Sequence, residues 1–566
     1  MKISKSILFF AFLCAYTNVC AQLSTHEQPV SFNPEIKETI LSKGATQVVT
    51  TPLLDKARIE SEDKENEKKD VPPRFGYSHY VHYDLNNSGT WYNLPDGGKL
   101  WQLNVVCPGA LSVNFCYDKF WIPEGGKFFL YTKDQKQSIG AFTNSNNNGD
   151  KNNIRGFATE LLFGNDVVLE YYQPKEVTED AIISINRIVH GYRSFRDGNI
   201  GYGQSGSCQI DINCPDGQDW QNEKKAVALI VYGNRLGSGA LVNTTDMGQQ
   251  PYFLTVEHNL IEDTITHITP DAEGDSVLTG YVFYWNYEKS GCNNTCPEPV
   301  PFTTNGAIVV ANYSFPDIAL FRLIEDPKNI SGYIPYYLGW DRSTSPPQKG
   351  VCIHHPNGDV KKISTFFNSL LDVTVNGSPD YWGVEWSEGY GITSDGSSGS
   401  PLMSKDHRVI GVLKSGNSKC DDLYAIDNIS KFFIAWSQFD DPDFGIHSRL
   451  NHWLDPLSVD IQSLEGLLII PSDSIMNTDQ IIYSNIRIKS SAQLTIKNNV
   501  ELMGNSCVIV ESGGVLIVDG GKLSCVDIEL KAGATLRIIN NGTIDCQNKV
   551  IAPIGALVDI VKGKII

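Results

Sequence analysis

The C-terminal part of the chain repeats itself. Gln493-Leu494-Thr495-Ile496, Val515-Leu516-Ile517-Val518, Thr535-Leu536-Arg537-Ile538 and Ala556-Leu557-Val558-Asp559 place leucines 22, 20 and 21 residues apart. Small-residue turns such as Ser512-Gly513-Gly514 and Ala532-Gly533-Ala534 precede the copies. A four-residue apolar strand cannot bury its own face, so a glycine-punctuated period of about 21 residues forces the copies to stack, predicting a β-solenoid of about four coils over 481–566. Such a stack carries no chemistry by itself and is expected to offer a surface for partner contact.

The remaining chain is too long for one further domain, since 566 residues exceed what one core holds. With 46 basic and 65 acidic side chains the net charge is -19, which excludes nucleic acid as a partner because phosphate binding needs basic patches. Lys2 and Lys5 precede the apolar run Ile7 to Ala15, and Val19-Cys20-Ala21 ends in small residues. Residues 1–21 therefore read as a secretory signal peptide cleaved after Ala21. No later stretch approaches the ~20 apolar residues of a membrane span. The mature chain is expected to be exported, in a compartment where cysteines pair.

Residues 22–76 read as a charged flexible segment, in which Asp55 to Asp70, almost entirely charged and running into Pro72-Pro73, is a disordered or loosely helical connector. Residues 77–204 turn to strands (Leu100 to Val106, Leu111 to Phe115, Phe128 to Tyr131, Val167 to Tyr172) separated by turns such as Asp96-Gly97-Gly98, predicting a β-sandwich. Cys107 and Cys116 close a hairpin-sized loop and are expected to form a local disulfide. The polar, Gly-rich Ser194 to Gly206 reads as a processing site, with the mature chain starting near Ser205–Ser207. Residues 205–457 hold many short strands, as a double β-barrel does. Residues 458–480 read as a linker. No C-x-x-C pair with a matching His or Cys pair occurs, so neither a metal site nor a cofactor is expected.

Three fragments inside 205–457 carry chemistry: Leu254-Thr255-Val256-Glu257-His258, Pro316-Asp317-Ile318-Ala319-Leu320 and Gly396-Ser397-Ser398-Gly399-Ser400-Pro401. Serine is a poor nucleophile unless a base touches it, and the base needs an orienting carboxylate. Ser398 would attack, His258 would take and return its proton, and Asp317 would hold the imidazole tautomer. The N–H groups of Gly396 and Ser398 would form the oxyanion hole. The order His, Asp, Ser is that of chymotrypsin-like proteases, whereas α/β-hydrolases place Ser first and would need Gly at position 400.

Residues from about Ser205 to Leu457 resemble the lysyl endopeptidase branch of chymotrypsin-fold serine proteases. The matching stretches are Ser207 to Asp211 with Cys214-Pro215, Gly239 to Asn243, Tyr252 to Thr255, Tyr284 to Tyr287, Gly339 to Arg342, Ile353 to Asn357 and Gly396 to Pro401. The resemblance implies an all-β fold: a chymotrypsin-like double β-barrel, with the preceding sandwich as a pro-domain. It implies a secreted endopeptidase acting on protein or peptide substrates without a metal, so His354-His355 reads as structural. It also implies the bridges Cys208–Cys420 and Cys214–Cys292, with Cys296 and Cys352 unassigned. A family disulfide beside the histidine is absent, its positions being Gly237 and Asn259, and Ser397 stands where animal enzymes carry an Asp that pairs with a new N-terminus. The substrate pocket is expected from Thr393, Lys414, Ser415, Gly416 and Asp422, with Asp422 as a buried acid favouring Lys or Arg before the scissile bond. Lys414 stands where the family has histidine, and would pair either with Asp317 or with the pocket acid. The rival reading, from another class, is an inactive protease-fold module that serves in binding or adhesion.

Overall fold

The computed structural model describes residues 27–67, 74–193, 202–203, 205–247, 250–260, 269–270, 276–292, 298–313, 315–422, 425–437 and 449–566. The leader, Gln204, Cys296 and most of the Ser194–Gly206 segment lie outside the described residues. The architecture is all-β, as expected.

The first unit is a two-sheet sandwich. One sheet orders Val48–Thr50, Lys99–Val106, Asp166–Gln173, Lys127–Thr132 and Ser138–Phe142, and the other packs Ser112–Trp121 between Phe157–Ala158 and Ile182–Gly191. Alternating apolar residues of both sheets, among them Trp101, Leu103, Phe115, Phe120, Phe128 and Leu169, fill the space between. The disulfide expected between Cys107 and Cys116 is not formed, and both cysteines are free. Cys107, just past the end of Lys99–Val106, joins the sandwich core, whereas Cys116 in the other sheet faces outward into the apolar layer shared with the next unit. The charged segment, expected to be disordered or loosely helical, takes the helical form. Lys56–Glu67 is a helix, because Asp63 turns inward and meets Arg74 at 2.6 Å and Arg193 at 2.7 Å.

The second unit begins with a six-stranded barrel. Val227–Tyr232, Arg235–Leu241, Tyr252–Thr255, Ile318–Leu323, Phe302–Tyr313 and Ser276–Trp285 pair in that order, and the last closes on the first through Leu229↔Tyr284 and Ile230↔Phe283. A second sheet orders Ile210–Asp211, Lys362–Phe366, Gly350–His354, Pro401–Ser404, Arg408–Gly416, Asp427–Lys431, Ser378–Val384 and Leu371–Val375. The sandwich packs on the outside of the first barrel: Phe75, Leu161 and Val189 meet Leu229, Val231 and Tyr284 in one cluster.

The solenoid is longer than the leucine spacing predicts. Its ladder starts at Gly466–Ile470, which pairs in parallel with Ser484–Ile488, so most of the expected linker 458–480 is a first coil. That coil escapes the leucine pattern because Ser474 occupies the rung below Leu494. At the other end Val558, not Leu557, continues the ladder Leu494↔Leu516↔Leu536, and Leu557 pairs with Thr535. The first coil is joined to the second unit by Tyr336↔Leu468 and Trp340↔Leu464.

Candidate active site

His258 lies on the short turn Glu257–Leu260 that follows a first-barrel strand, and Asp317 precedes Ile318–Leu323 of the same barrel. His258 Nδ1 is 2.7 Å from Asp317 Oδ2, and the His258 N–H donates to Asp317 Oδ1 at 2.9 Å. The carboxylate is therefore gripped twice, which leaves Nε2 as the ring position available to a nucleophile. Burial of Asp317 opposes its ionisation, but the charges of His258 and Lys414 and the His258 hydrogen bonds hold its pKa below the usual value. Lys414 Nζ stands 3.3 Å from Asp317 Oδ2. Of its two expected partners, Lys414 takes Asp317.

Ser398 comes from the second sheet, on the loop before Pro401–Ser404, so the site straddles the two sheets. Its Oγ donates to the Lys414 carbonyl oxygen at 3.4 Å, and no hydrogen bond to His258 is formed. Such loose geometry is common before substrate binds. The Ser398 carbonyl accepts from Ser238 N–H at 2.8 Å and Asn259 Nδ2 at 3.2 Å, so first-barrel residues fix the serine loop. Gly399, at φ 89°, is required there: a Cβ would sit 2.1 Å from Ser238 O and Thr255 Oγ1. Among the described residues no acceptor engages the N–H of Gly396 or of Ser398.

Asn259 fills the place of the missing disulfide. Its amide packs where a Cβ on Gly237 would lie 2.6 Å away, and its other partners are Thr255 Oγ1 at 3.0 Å and Tyr232 OH at 3.2 Å. The bridges Cys208–Cys420 and Cys214–Cys292 are both present. His354 is buried with Nδ1 2.8 Å from Ser397 Oγ and Nε2 3.0 Å from Ser364 Oγ. Burial and then Lys362 push its pKa down to about 3, so the neutral ring steadies the residue preceding Ser398.

The acid buried in this part of the sheet is not the expected one. Asp422 is exposed in a turn bridged to Lys419, because the chain leaves the sheet between Gly416 and Asp427. The buried carboxylate is Asp427, paired on its strand with Val384 and Gly416. Its Oδ2 accepts from Thr393 Oγ1 (2.5 Å), Trp386 Nε1 (2.6 Å) and Ser418 Oγ (2.6 Å), and Oδ1 accepts from Ser418 N–H (3.0 Å). A carboxylate accepts about four such bonds, roughly two per oxygen, so Oδ1 is the oxygen with capacity left. A Cβ on Gly416 would lie 2.2 Å from that oxygen, which places it against the strand carrying Ser415 and Gly416. Ile392, six residues before Ser398, is buried and apolar. Among the described residues no cation pairs with Asp427. One signal pointed to it: an acid two residues before Ile429 in a strand whose alternate positions are buried.

A histidine–aspartate pair on one barrel facing a serine loop on a second sheet defines a serine-protease-type domain. Residues 202–428 match the family described as lysyl endopeptidase, C-terminal domain. A curated lysyl endopeptidase from Pseudomonas aeruginosa is 30% identical over 282 residues, covering 47% of this chain and 54% of that protein. The chain thus spans about half the length of that relative. Among solved structures, the serine endoprotease from Yersinia pestis is 14% identical over 39% of this chain and 63% of its own, with a TM-score of 0.25. The active form of the Rv3671c protease from M. tuberculosis is 14% identical over 38% and 79%, with a TM-score of 0.24.

Proposed function

We propose that the chain is a secreted serine endopeptidase that works through an acyl-enzyme, with the sandwich as its pro-domain. The observation that carries this reading is the His258–Asp317 pair, 2.7 Å apart, opposite the Ser398 loop with its two unengaged N–H groups. In this reaction Ser398 Oγ leaves the Lys414 carbonyl and gives its proton to His258 Nε2 as it attacks the scissile carbonyl. The negative charge that develops on the carbonyl oxygen is met by the N–H groups of Gly396 and Ser398. His258 then returns the proton to the leaving amine, and water repeats the sequence in reverse. Asp427, compensated by neutral donors alone, supports a preference for Lys or Arg before the scissile bond, because a substrate cation relieves an unpaired buried charge.

A fluorophosphonate probe tests the assignment. Wild type should be labelled and Ser398→Ala should not. Ser398→Ala and His258→Ala should each lose about 10⁶ in turnover, and the double variant should be little worse, because such residues act as a unit. Wild type that is not labelled would leave the inactive binding module as the reading.

A further inference from the structure

The turn beside the oxyanion loop is tied to the segment where the chain is expected to be cut. Asp359 is wholly buried. Its Oδ1 accepts from the N–H of Gly203 at 2.7 Å and of Val360 at 2.7 Å, and its Oδ2 accepts from the Ser205 N–H at 3.3 Å and from Ser205 Oγ. Among the described residues Lys362 pairs with it at 3.5 Å and pairs with Asp211 as well. The backbone of Asp359 is held as firmly. Its N–H donates to Pro356 O at 2.9 Å, and its carbonyl accepts from His355 Nδ1 at 2.9 Å. Burial and then Lys361 keep His355 neutral, its pKa well below the ordinary value.

This turn orients the oxyanion loop. The Asn357 N–H donates to the carbonyl of Asp395 at 2.5 Å. A trans peptide places its C=O and N–H on opposite sides, so fixing the Asp395 carbonyl on Asn357 aims the Gly396 N–H the other way. Gly396 rests directly on the turn, with φ at 80° and a position for Cβ only 3.3 Å from Gly358 N and His355 O.

We infer that Asp359 receives the N-terminus made when the chain is cut before Gly203, and that through the Pro356–Asp359 turn it positions the Gly396 N–H for the oxyanion. Hydrolysis of the Tyr202–Gly203 bond by an endopeptidase consumes one water. The Tyr202 carbonyl carbon gains an oxygen and leaves as a carboxylate, and the Gly203 nitrogen becomes an ammonium. That ammonium forms in contact with the Asp359 carboxylate, so a hydrogen bond from a neutral amide becomes a buried ion pair. Ser397 replaces the acid that performs this task in animal enzymes; Asp359 performs it from a different loop. Asp359 is a positioning residue, and the inference rests on the proposed hydrolase reading and its processing step.

The test uses the full-length chain with a site-specific endopeptidase sequence placed before Gly203 and cut after folding. Reductive methylation of the Gly203 α-amine, followed by mass mapping, should be at least about tenfold slower in wild type than in Asp359→Asn, since the buried ion pair shields the amine. Misaiming one oxyanion donor should lower kcat of Asp359→Asn about 10- to 100-fold, with KM within about twofold and affinity for a peptide aldehyde falling in step. Equal methylation rates or an unchanged kcat overturns the inference. If Asp359→Asn does not fold, wild type decides alone: methylation as fast as that of a free glycyl peptide overturns it. Loss of fluorophosphonate labelling in wild type would instead strike the hydrolase reading and leave the α-amine result standing.

Discussion

Lys414 Nζ and His258 Nδ1 share one oxygen of Asp317, at 3.3 Å and 2.7 Å. The lysine thus lies beside the carboxylate that, in the proposed mechanism, stabilises a protonated imidazole. Replacing Lys414 by Met removes a competitor for Asp317 and favours the protonated histidine. The acid limb of the kcat/KM profile should therefore move to higher pH, by on the order of half a unit to one unit for a charge at this range. An acid limb that stays put or moves down would show that Lys414 does not act on the pair.

Asp427 and Asp422 make opposite predictions. Asp427→Asn should lower kcat/KM for substrates with Lys before the cut by about 10² to 10³, the cost of truncating one partner of a buried charge pair. Labelling by a small neutral fluorophosphonate should persist. Asp422→Asn, altering an exposed turn, should change kcat/KM less than about twofold. Peptide-library profiling of wild type and both variants reads this directly.

Glu160 gives the seam between sandwich and barrel a pH dependence. It is buried, its one partner among the described residues is Thr303 Oγ1 at 3.4 Å, and burial raises its pKa to about 8 despite that bond. The folded chain thus keeps a proton that the unfolded chain releases above about 4.5. Stability contributed by the protonated form is full below that pH, falls as pH rises, and is gone once pH passes about 8. The thermal midpoint should accordingly decline between pH 5 and 8 (an expected window from linkage, roughly), and Glu160→Gln should flatten the decline. An identical slope in both proteins would remove Glu160 as the cause.

The fragments carrying His258, Asp317 and Ser398 and the strand-rich composition were legible because each fragment is local and strands announce themselves by alternation. Which acid is buried beside Gly416 was not. Asp421 and Asp422 sit beside Cys420 in the chain, but which acid is buried depends on sheet pairing, and the pairing puts Asp427 opposite Gly416. The Cys107–Cys116 expectation failed for a similar reason: closeness in sequence says nothing about two cysteines that a sandwich sends to different layers. The first solenoid coil was missed because Ser474 breaks the leucine signal where backbone pairing does not need it. Asn259 was read only as a lost cysteine, whereas its amide bonds to the Ser398 carbonyl.

One buried apolar cluster runs without a break from Val227 and Phe253 of the first barrel through Tyr336 and Leu467 into Leu516 and Ile544 of the solenoid. The two parts are therefore not beads on a string. Removing the solenoid would strip Tyr336 and Tyr337 of their strand partner and open Trp340 to water, and removing the barrel would leave the first coil without a floor. Heat or denaturant should meet them as one melting unit. Any trimming of this chain at its C-terminal side has to stop short of the coil that the barrel rests on.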